Sequence, residues 1–425
     1  MIGIINQIKD HFIAMGNLQG YGIDYPIMWF IYLVLCFGGC VIANLFILFS
    51  KNGNRIIYLP DQHIRIQSKF SYMAMLACTF TGVFLVGSYP LELQNTFGTW
   101  NADFFYTIGQ SAIMLTAGIW GVATYKNRNF TVLNVLSIII GLSTSIPVAA
   151  NAILSPFKLE SQLIRIISVL VIILVFITLA YLSVRYNLLV KYSRINIVMF
   201  FITALALFSS IGVSSYSDVQ LGKVLPFQGM FSLEPWKELI TKPYWWYFEA
   251  TVVSWALFCG RFVAFCSNGY SLKQVIKYGS CSLIVLTVVW HIVSAATGFT
   301  LSFSRGPVIY LFTALTMIAF AVTSLDSATK TLSDDLYRLL NKNEKENNKF
   351  KNKLPIVILL VLGVINIIIL YTGTSRLFTI ISCLVFIPAI VKSIIYVIKF
   401  SIGKMDYSKT GTISAEEYDE INKEL

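Results

Sequence analysis

Eleven apolar stretches, each long enough to cross a bilayer, divide this 425-residue sequence. A transmembrane helix needs about 20 predominantly apolar residues. Only 12% of the residues are charged, whereas a soluble chain of this length carries about a quarter. We therefore predict an all-α polytopic membrane protein with transmembrane helices near residues 26–50, 70–90, 103–125, 131–152, 162–183, 192–214, 244–266, 274–296, 306–328, 354–373 and 376–399.

Positive charge is distributed unevenly between the two sets of alternating loops. The set that includes the N-terminus holds seven Lys and Arg residues, and the set that includes the C-terminal tail holds twenty. Cytoplasmic loops carry the excess of such residues. We therefore expect a multi-pass protein of the inner or plasma membrane, with its N-terminus outside and its C-terminus in the cytoplasm. The net charge of +11 does not indicate nucleic-acid binding, because the basic residues are scattered between apolar runs.

Four polar segments lie outside the predicted spans. Residues 1–25 have a broken apolar pattern and are predicted to be an external interfacial segment. Residues 215–243 contain proline and tryptophan and are expected to lie along the outer interface. Residues 329–353 are rich in Lys, Asn, Asp and Glu, which predicts a solvated cytoplasmic helix and linker. Residues 400–425 form the cytoplasmic tail.

The apolar runs contain no set of side chains typical of catalysis. No nucleophile with a matching base, no cluster of metal ligands and no nucleotide-binding loop is apparent. We therefore expect neither an enzyme nor an ATP-driven pump, and no cofactor except a coupling ion. The seven cysteines all fall within apolar runs, so we expect them to be small core residues.

The tail carries a pattern with the spacing of an EF-hand calcium loop. The ligand positions of such a loop fall on Asp406, Ser408, Thr410, Thr412 and Glu417. Two of these positions carry only hydroxyls, the loop is unpaired in the sequence, and its exit helix is short. A polar turn is therefore favoured over a calcium sensor, and both interpretations stay open.

Nine residues of the seventh apolar run fall in the register of a known transporter signature. They are Ser254, Trp255, Ala256, Phe258, Gly260, Phe262, Ala264, Ser267 and Gly269. Residues 141–145, 192–196 and 323–327 add similar matches in chain order. Together these segments resemble the betaine/carnitine/choline transporter (BCCT) family, from about residue 26 to near the end of the chain.

The resemblance implies a LeuT-type fold of two inverted five-helix repeats. These repeats would be residues 70–214 and 244–399, with 26–50 as a peripheral helix. The first transmembrane helix of the family has no counterpart, which also predicts an external N-terminus. In this fold the solute lies near the midplane, between the first helices of the repeats. A homotrimer is expected by family analogy alone.

The resemblance also implies a sodium site. Its candidate residues are Thr323, Ser324, Phe320, Cys78, Thr81 and Gly82. Hydroxyl and carbonyl oxygens suit a hard cation. The alternative is that both hydroxyls bond back to carbonyls of their own helix, as is common in membranes. The run 78–82 departs from the glycine-rich run of the family, so sodium coupling stays open.

The substrate cage implied by the resemblance falls on Trp255, Glu249, Thr251, Val252 and Phe258. Only Trp255 keeps a tryptophan of the family's cage for quaternary ammonium groups, which binds them by cation–π attraction. A carboxylate in a membrane helix is a functional candidate by default. Glu249 would therefore pair with an amine or carry a proton. The alternative is that it is exposed to water near the outer interface.

Two further charged residues interrupt the apolar runs. Arg261 would bind a substrate carboxylate, replace sodium as a fixed positive charge, or reach the headgroups by snorkelling. Asp326 matches the family motif and is expected to be a residue of a helix end as much as a functional one.

We therefore expect a secondary active transporter that moves a small organic solute by alternating access. The candidate solutes are quaternary ammonium compounds, amines and amino acids, and sodium is the candidate coupling ion. The alternative is a transporter-derived sensor or receptor that binds its ligand without moving it. The altered glycine run and the calcium-like tail favour that alternative, and accumulation of solute in vesicles distinguishes the two.

Overall fold

A computed structural model describes residues 33–59, 68–81, 100–124, 128–210, 243–297, 306–340, 348–372 and 375–424. Within this part, eleven helices fall at the eleven predicted spans. They are α1 (Ile42–Phe49, preceded by a π-helical segment Leu33–Val41), α2 (Lys69–Thr81), α3 (Trp100–Ala123), α4 (Arg128–Leu154), α5 (Gln162–Tyr186), α6 (Leu189–Ser209), α7 (Pro243–Cys266), α8 (Leu272–Thr297), α9 (Pro307–Leu340), α10 (Asn348–Thr372) and α11 (Ser375–Ser401). The tail adds a strand and a short helix, α12 (Ala415–Glu424). The predicted segments 1–25 and 215–242 lie outside the described residues.

Four helical stretches in the described part are long and apolar enough to span a membrane by length and composition. They are Leu163–Tyr186, Leu189–Ser209, Leu272–Trp290 and Pro307–Tyr337. One face of α5 is apolar and exposed, with Leu163, Ile167, Val171 and Leu174 each more than half exposed. Its other face is buried, as at Phe176. Apolar residues on an outward face are expected where the surrounding solvent is lipid.

The helix contacts of the two halves of the bundle correspond to each other. Helix α2 packs against α6 and α8, and α7, five helices later, packs against α11 and α3. Likewise α6 packs against α9, and α11 packs against α4. Each of these contacts has its counterpart when every helix is exchanged for the one five places away. This is the contact pattern of a LeuT-like 5+5 repeat, with α2 and α7 as the first helices of the repeats.

Helix α9 is longer than the sequence predicted. It continues without interruption to Leu340, although the predicted span ended at residue 328. The expected solvated segment 329–353 is therefore wrong in its first part, because Thr331, Leu332 and Asp335 are buried against neighbouring helices. Asp335 accepts hydrogen bonds from Arg261 on α7 and Asn134 on α4, and Thr331 bonds back to the carbonyl of Ser327, so a low hydropathy did not mean exposure to water.

The five cysteines whose side chains the structure describes follow the prediction with one correction, and the side chains of Cys36 and Cys383 lie outside the described part. Cys40, Cys78, Cys259 and Cys266 are buried, as expected of small core residues. Cys281 is exposed, because it lies on the outward face of α8 one turn before the exposed Val285.

The tail pairs with the segment that follows α1. Strand β1 (Ile56–Ile57) is antiparallel to strand β2 (Thr412–Ile413), and a further bridge joins Ile56 to Ser271. Gly269 has a φ of +87°, a conformation that suits glycine, and its amide donates to the carbonyl of Ile57 at 2.8 Å. We call the side of the protein that carries β1, β2 and residues 267–271 the tail-bearing face.

Candidate functional site

Three helices meet at a buried group of polar side chains, which we call the polar junction. It consists of Cys78 on α2, Asn196 on α6, and Thr323 and Ser324 on α9. The Cys78 thiol interacts with the side chains of Asn196 and Thr323. Asn196 Nδ2 donates to Thr323 Oγ1 at 3.1 Å and to the carbonyl of Ala319 at 2.9 Å. The structure thus brings Cys78 into contact with Thr323, two residues that the sequence assigned to one sodium site, and Ser324 follows Thr323 on α9.

The two hydroxyls of α9 in this junction differ in their bonding. Thr323 Oγ1 shares its proton between the carbonyls of Phe320 at 3.0 Å and Ala319 at 3.1 Å, which is the back-bonded alternative. Ser324 Oγ is fully buried, and among the described residues it has no hydrogen-bond partner. A buried hydroxyl oxygen without a partner is costly, so a bound cation near Ser324 would fit.

At the end of α2, two carbonyls accept hydrogen bonds from other helices. Cys259 Sγ lies 3.5 Å from the carbonyl oxygen of Thr79 and donates to it. Gln110 Nε2 donates to the carbonyl of Phe80 at 3.0 Å. The side chain of Thr81 and the whole of Gly82 lie outside the described residues. The cation donors that the structure describes are therefore mainly those of α9.

An aromatic pair lies on α7, close to α4. The rings of Trp255 and Phe258 are 5.5 Å apart between centroids and meet edge to face, and both are buried. Gly141 of α4 faces the indole, because a Cβ built on it would lie 3.3 Å from Trp255 Nε1. The amide of Phe258 donates to Ser137 Oγ at 3.2 Å, so a backbone group of α7 bonds to a side chain of α4. The three other candidates for the substrate cage, Glu249, Thr251 and Val252, belong to α7, but their side chains lie outside the described part.

Arg261 forms a buried ion pair that the sequence did not reveal. Its Nη2 donates to Asp335 Oδ1 at 2.7 Å and its Nε donates to the same oxygen at 3.1 Å. Asn134 Nδ2 donates to Asp335 Oδ2 at 2.6 Å. Arg261 is 3% exposed and Asp335 is 1% exposed. The snorkelling alternative for Arg261 is therefore wrong, because an internal carboxylate satisfies the guanidinium.

Sequence reasoning missed Asp335 and Asn134 in this charged cluster, which comprises Arg261, Asp335 and Asn134. One signal was present: an arginine inside an apolar run needs a counter-charge. Asp326 was expected at a helix end, but the structure places it in the interior of α9. It accepts a hydrogen bond from Ser183 on α5.

The tail loop, residues 406–417, uses its calcium-type positions for other bonds. Asp406 Oδ1 accepts from the amide and the hydroxyl of Ser408, at 3.2 and 2.6 Å. Glu417 accepts from the amide of Ser414 at 2.7 Å, and Ser414 Oγ accepts from the amide of Glu417 at 3.2 Å, which is a capping box at the start of α12. These hydrogen bonds lower the pKa of both carboxyls. Arg55 Nη2 donates a hydrogen bond to the carbonyl of Thr412.

In the described ranges, no three His, Cys, Asp or Glu side chains gather as a metal-binding group. The tail loop therefore lacks a cage of carboxylates, since Asp406 and Glu417 are the acidic residues at its ligand positions and each is bonded locally.

Comparison with models of known families gives no match, and comparison with curated proteins gives no sequence match. The resemblance to the BCCT family therefore stays a prediction. Among solved structures, the chain is similar to a Na+-coupled sialic acid symporter in its substrate-bound, outward-open state. The identity is 12%, the match covers 83% of this chain and 84% of that chain, and the TM-score is 0.53. This chain is a multi-pass membrane protein with the LeuT-type fold.

Proposed function

We propose that this chain is a secondary active transporter that moves a small organic solute across the cell membrane by alternating access. The observation that carries the proposal is that, within a LeuT-type fold, a hydrogen bond from Cys259 on α7 to the carbonyl of Thr79 on α2 links the neighbours of Phe258 and Cys78, and so links the aromatic pair to the polar junction. A transporter of this architecture binds its solute near the midplane, at the interface of its repeats. The tail-bearing face is the cytoplasmic one in this proposal, because the charge distribution predicts it.

The solute contacts the aromatic pair. Trp255 supplies a buried indole ring, which contacts the ring of Phe258 in an edge-to-face arrangement. An indole face attracts an organic cation with about 1–2 kcal/mol, so one tryptophan needs help to hold a quaternary ammonium or amine. Glu249, six residues before Trp255 on α7, supplies that help as a carboxylate for the cationic group. The proposed substrate class is therefore a small amine or amino acid, in keeping with the BCCT resemblance.

Sodium is the proposed coupling ion, held by oxygens of α9. Ser324 Oγ is available, and the carbonyl of Phe320 and the hydroxyl of Thr323 lie within one turn of it. The Cys78 thiol borders the same place, but a thiol is a soft donor and suits sodium poorly. Binding of the ion would break the hydrogen bond from Asn196 Nδ2 to Thr323 Oγ1. Because Asn196 lies on α6, this bond couples α6 to the ion site.

Thermal unfolding of the purified protein tests the proposal. The panel holds betaine, choline, carnitine, proline, acidic and basic amino acids and polyamines, each with and without sodium. A ligand at 100 times its Kd stabilises a protein by about 2.7 kcal/mol, which is readily measured. We expect stabilisation by one cationic solute that grows with sodium. Uptake of that solute into proteoliposomes down a sodium gradient then distinguishes a transporter from a receptor, which would bind without accumulation.

Alanine variants of three hydroxyl residues on α9 test the ion site. Thr323→Ala and Ser324→Ala should remove the sodium-dependent part of the shift. Thr313→Ala is the control, because Thr313 is equally buried on α9 and, like Thr323, bonds back to its own helix, but lies ten residues before Thr323. If Thr313→Ala removes the sodium dependence as well, or if all three variants keep it, the ion is not at the polar junction.

A further inference from the structure

Three lysines from different helix ends lie around the short turn that follows α1, and we call them the lysine triad. Lys51 begins this turn, which comprises residues 51–54. Lys273 lies in the first turn of α8, and Lys404 follows the end of α11. The side chain of Lys273 packs on the turn, because its Cε lies 3.1 Å from the position that a Cβ on Gly53 would take. The ammonium group of Lys273 is thereby held beside the end of α1.

Asn52 fastens the same turn to the end of α11. Its Nδ2 donates to the carbonyl of Phe400 at 3.3 Å and to that of Ser401 at 3.0 Å. Gly403 lies against Asn52 as well and has a φ of +78°, so the chain turns away from the helix there. Lys404 is the next residue. The ends of α1, α8 and α11 are thus packed together, and each contributes one lysine.

No carboxylate in the described ranges compensates the lysine triad. The ion pairs found there are those of Arg261 with Asp335 and of Lys409 with Asp406, and neither includes a lysine of the triad. Lys51 and Lys404 are exposed, and Lys273 is partly exposed. Like charges that converge raise the local positive potential, and a bound anion relieves their repulsion.

An apolar face of α1 begins immediately before Lys51. Phe49 is 85% exposed, and Ile42, Leu45 and Phe46 are 50%, 43% and 44% exposed. Their spacing of three, four and seven residues places them on one side of the helix. The face extends over eight residues, which is about 12 Å along the helix axis. A ligand with an anionic head and a long apolar chain would contact both the lysines and this face.

We propose that the lysine triad and the apolar face of α1 form a binding site for an anionic phospholipid. The phosphate of the headgroup lies among the three ammonium groups, and an acyl chain follows α1 from Phe49 toward Ile42. Basic pockets between the ends of membrane helices are suited to such headgroups. A zwitterionic lipid brings a cation of its own that the lysines repel, and soluble phosphate has no chain to cover α1. The site does not depend on the proposed transport function.

Thermal unfolding of the purified, full-length protein in detergent tests the site. The probe is phosphatidylglycerol, and phosphatidylcholine with the same acyl chains is the lipid control. A ligand that binds only the folded protein raises the unfolding temperature with its concentration, and the dose response gives an apparent affinity. We expect stabilisation by phosphatidylglycerol that weakens at high salt, and little or none by phosphatidylcholine.

Lysine variants locate the site. Each of Lys51→Gln, Lys273→Gln and Lys404→Gln should lower the apparent affinity for phosphatidylglycerol about fivefold, the scale of one lysine near an anionic headgroup. Lys191→Gln is the control, because Lys191 is an exposed lysine at the start of α6, away from the triad. If Lys273→Gln is unstable, the variants at the two exposed lysines decide. Equal losses in Lys191→Gln and the triad variants would indicate diffuse attraction and overturn the site.

A second comparison tests the acyl chain. Phe49→Ser should weaken the binding of phosphatidylglycerol, because it removes the large apolar side chain next to the lysines. Glycerophosphoglycerol, which has the same headgroup without chains, should give no stabilisation at equal concentration. Equal stabilisation by glycerophosphoglycerol and by the intact lipid would assign the triad to a soluble anion and overturn the lipid site.

Discussion

Arg55 holds Thr412 at two atoms: its Nε donates to Thr412 Oγ1 and its Nη2 donates to the Thr412 carbonyl, each at 3.2 Å. The same guanidinium lies over the ring of Tyr407, 4.4 Å from its centroid. In an EF-hand loop the carbonyl at the position of Thr412 points at calcium. A side chain from outside the loop therefore takes the place of an ion and fastens the tail to the segment after α1.

Replacement of this arginine should release the tail. Arg55→Gln removes two charge-assisted bonds and the contact with Tyr407, a loss of about 1–2 kcal/mol, or 5- to 30-fold in the opening equilibrium. Hydrogen exchange at residues 411–413 should rise by that factor. Lys51→Gln is the control, because Lys51 is an exposed cation of the same segment. Equal exchange in both variants would mean that Arg55 does not hold the tail.

Calcium should have little effect on the intact protein. Thr412 offers its carbonyl to Arg55, and Glu417 caps α12 rather than facing the loop interior. We expect hydrogen exchange across residues 406–417 to be the same with and without millimolar calcium. Slower exchange at Gly411 with micromolar calcium would instead establish a functional calcium loop. The same measurement on Arg55→Gln shows whether the arginine excludes the ion.

Acid should loosen the start of α12. The pKa of Glu417 is held below its ordinary value of 4.5, chiefly by the hydrogen bond from the Ser414 amide. Because the folded pKa is the lower one, its stabilising effect is complete above pH 4.5 and is lost as the pH falls through the folded value. A nitroxide at position 420 should gain mobility in that range and remain constant between pH 6 and 8.

The control for this pH response is Glu417→Gln. Glutamine can also serve in a capping box, so α12 should still form while the response to acid becomes smaller. The hydrogen bonds of Ser408 to Asp406 lower the pKa of that carboxyl too, and some acid response remains for that reason. An unchanged response in Glu417→Gln would assign the whole effect to other groups.

A methyl group at Gly141 should weaken solute binding without unfolding the protein. Its Cβ would lie 3.3 Å from Trp255 Nε1, so the indole must move by a few tenths of an ångström. We expect a several-fold weaker Kd for the solute found by thermal unfolding. Gly363→Ala is the control. Gly363 is on α10, outside the site, and its Cβ would meet only the end of the flexible Ile177 side chain. Equal losses in both variants would argue against a role for Trp255.

The bundle was largely predictable from the sequence because each apolar run is an independent signal. A bilayer demands about 20 apolar residues wherever a helix crosses it, so length and hydropathy suffice. The end of α9 was not predictable in this way. Residues 329–340 are polar in sequence, yet Asp335 is buried, because Arg261 on α7 and Asn134 on α4 satisfy it. Thr331 is buried as well, with its hydroxyl bonded back to the carbonyl of Ser327. Hydropathy cannot distinguish a wet polar helix from one whose partners are distant in the chain.

The candidate site was predictable in its positions but not in its bonds. The motif led to Thr323 and Ser324, and the structure sets both in the polar junction. The hydrogen bond from Asn196 to Thr323, and that from Cys259 to the carbonyl of Thr79, join residues 127 and 180 positions apart. Such pairings depend on how the helices pack, and no local pattern contains that information. The counter-charge of Arg261, 74 positions away, was hidden for the same reason.

The antiparallel pairing of β1 with β2 has a consequence for synthesis of the protein. Arg55 and Thr412 are 357 positions apart, and every membrane helix from α2 to α11 lies between them. At 5–20 residues per second, translation brings β2 out roughly 20–70 s after β1. During that time the edge of β1 is open to other partners. Formation of the pair therefore marks completed insertion, and a chain stalled at any earlier helix would display the open β2 edge of β1 to the machinery that removes unfinished proteins.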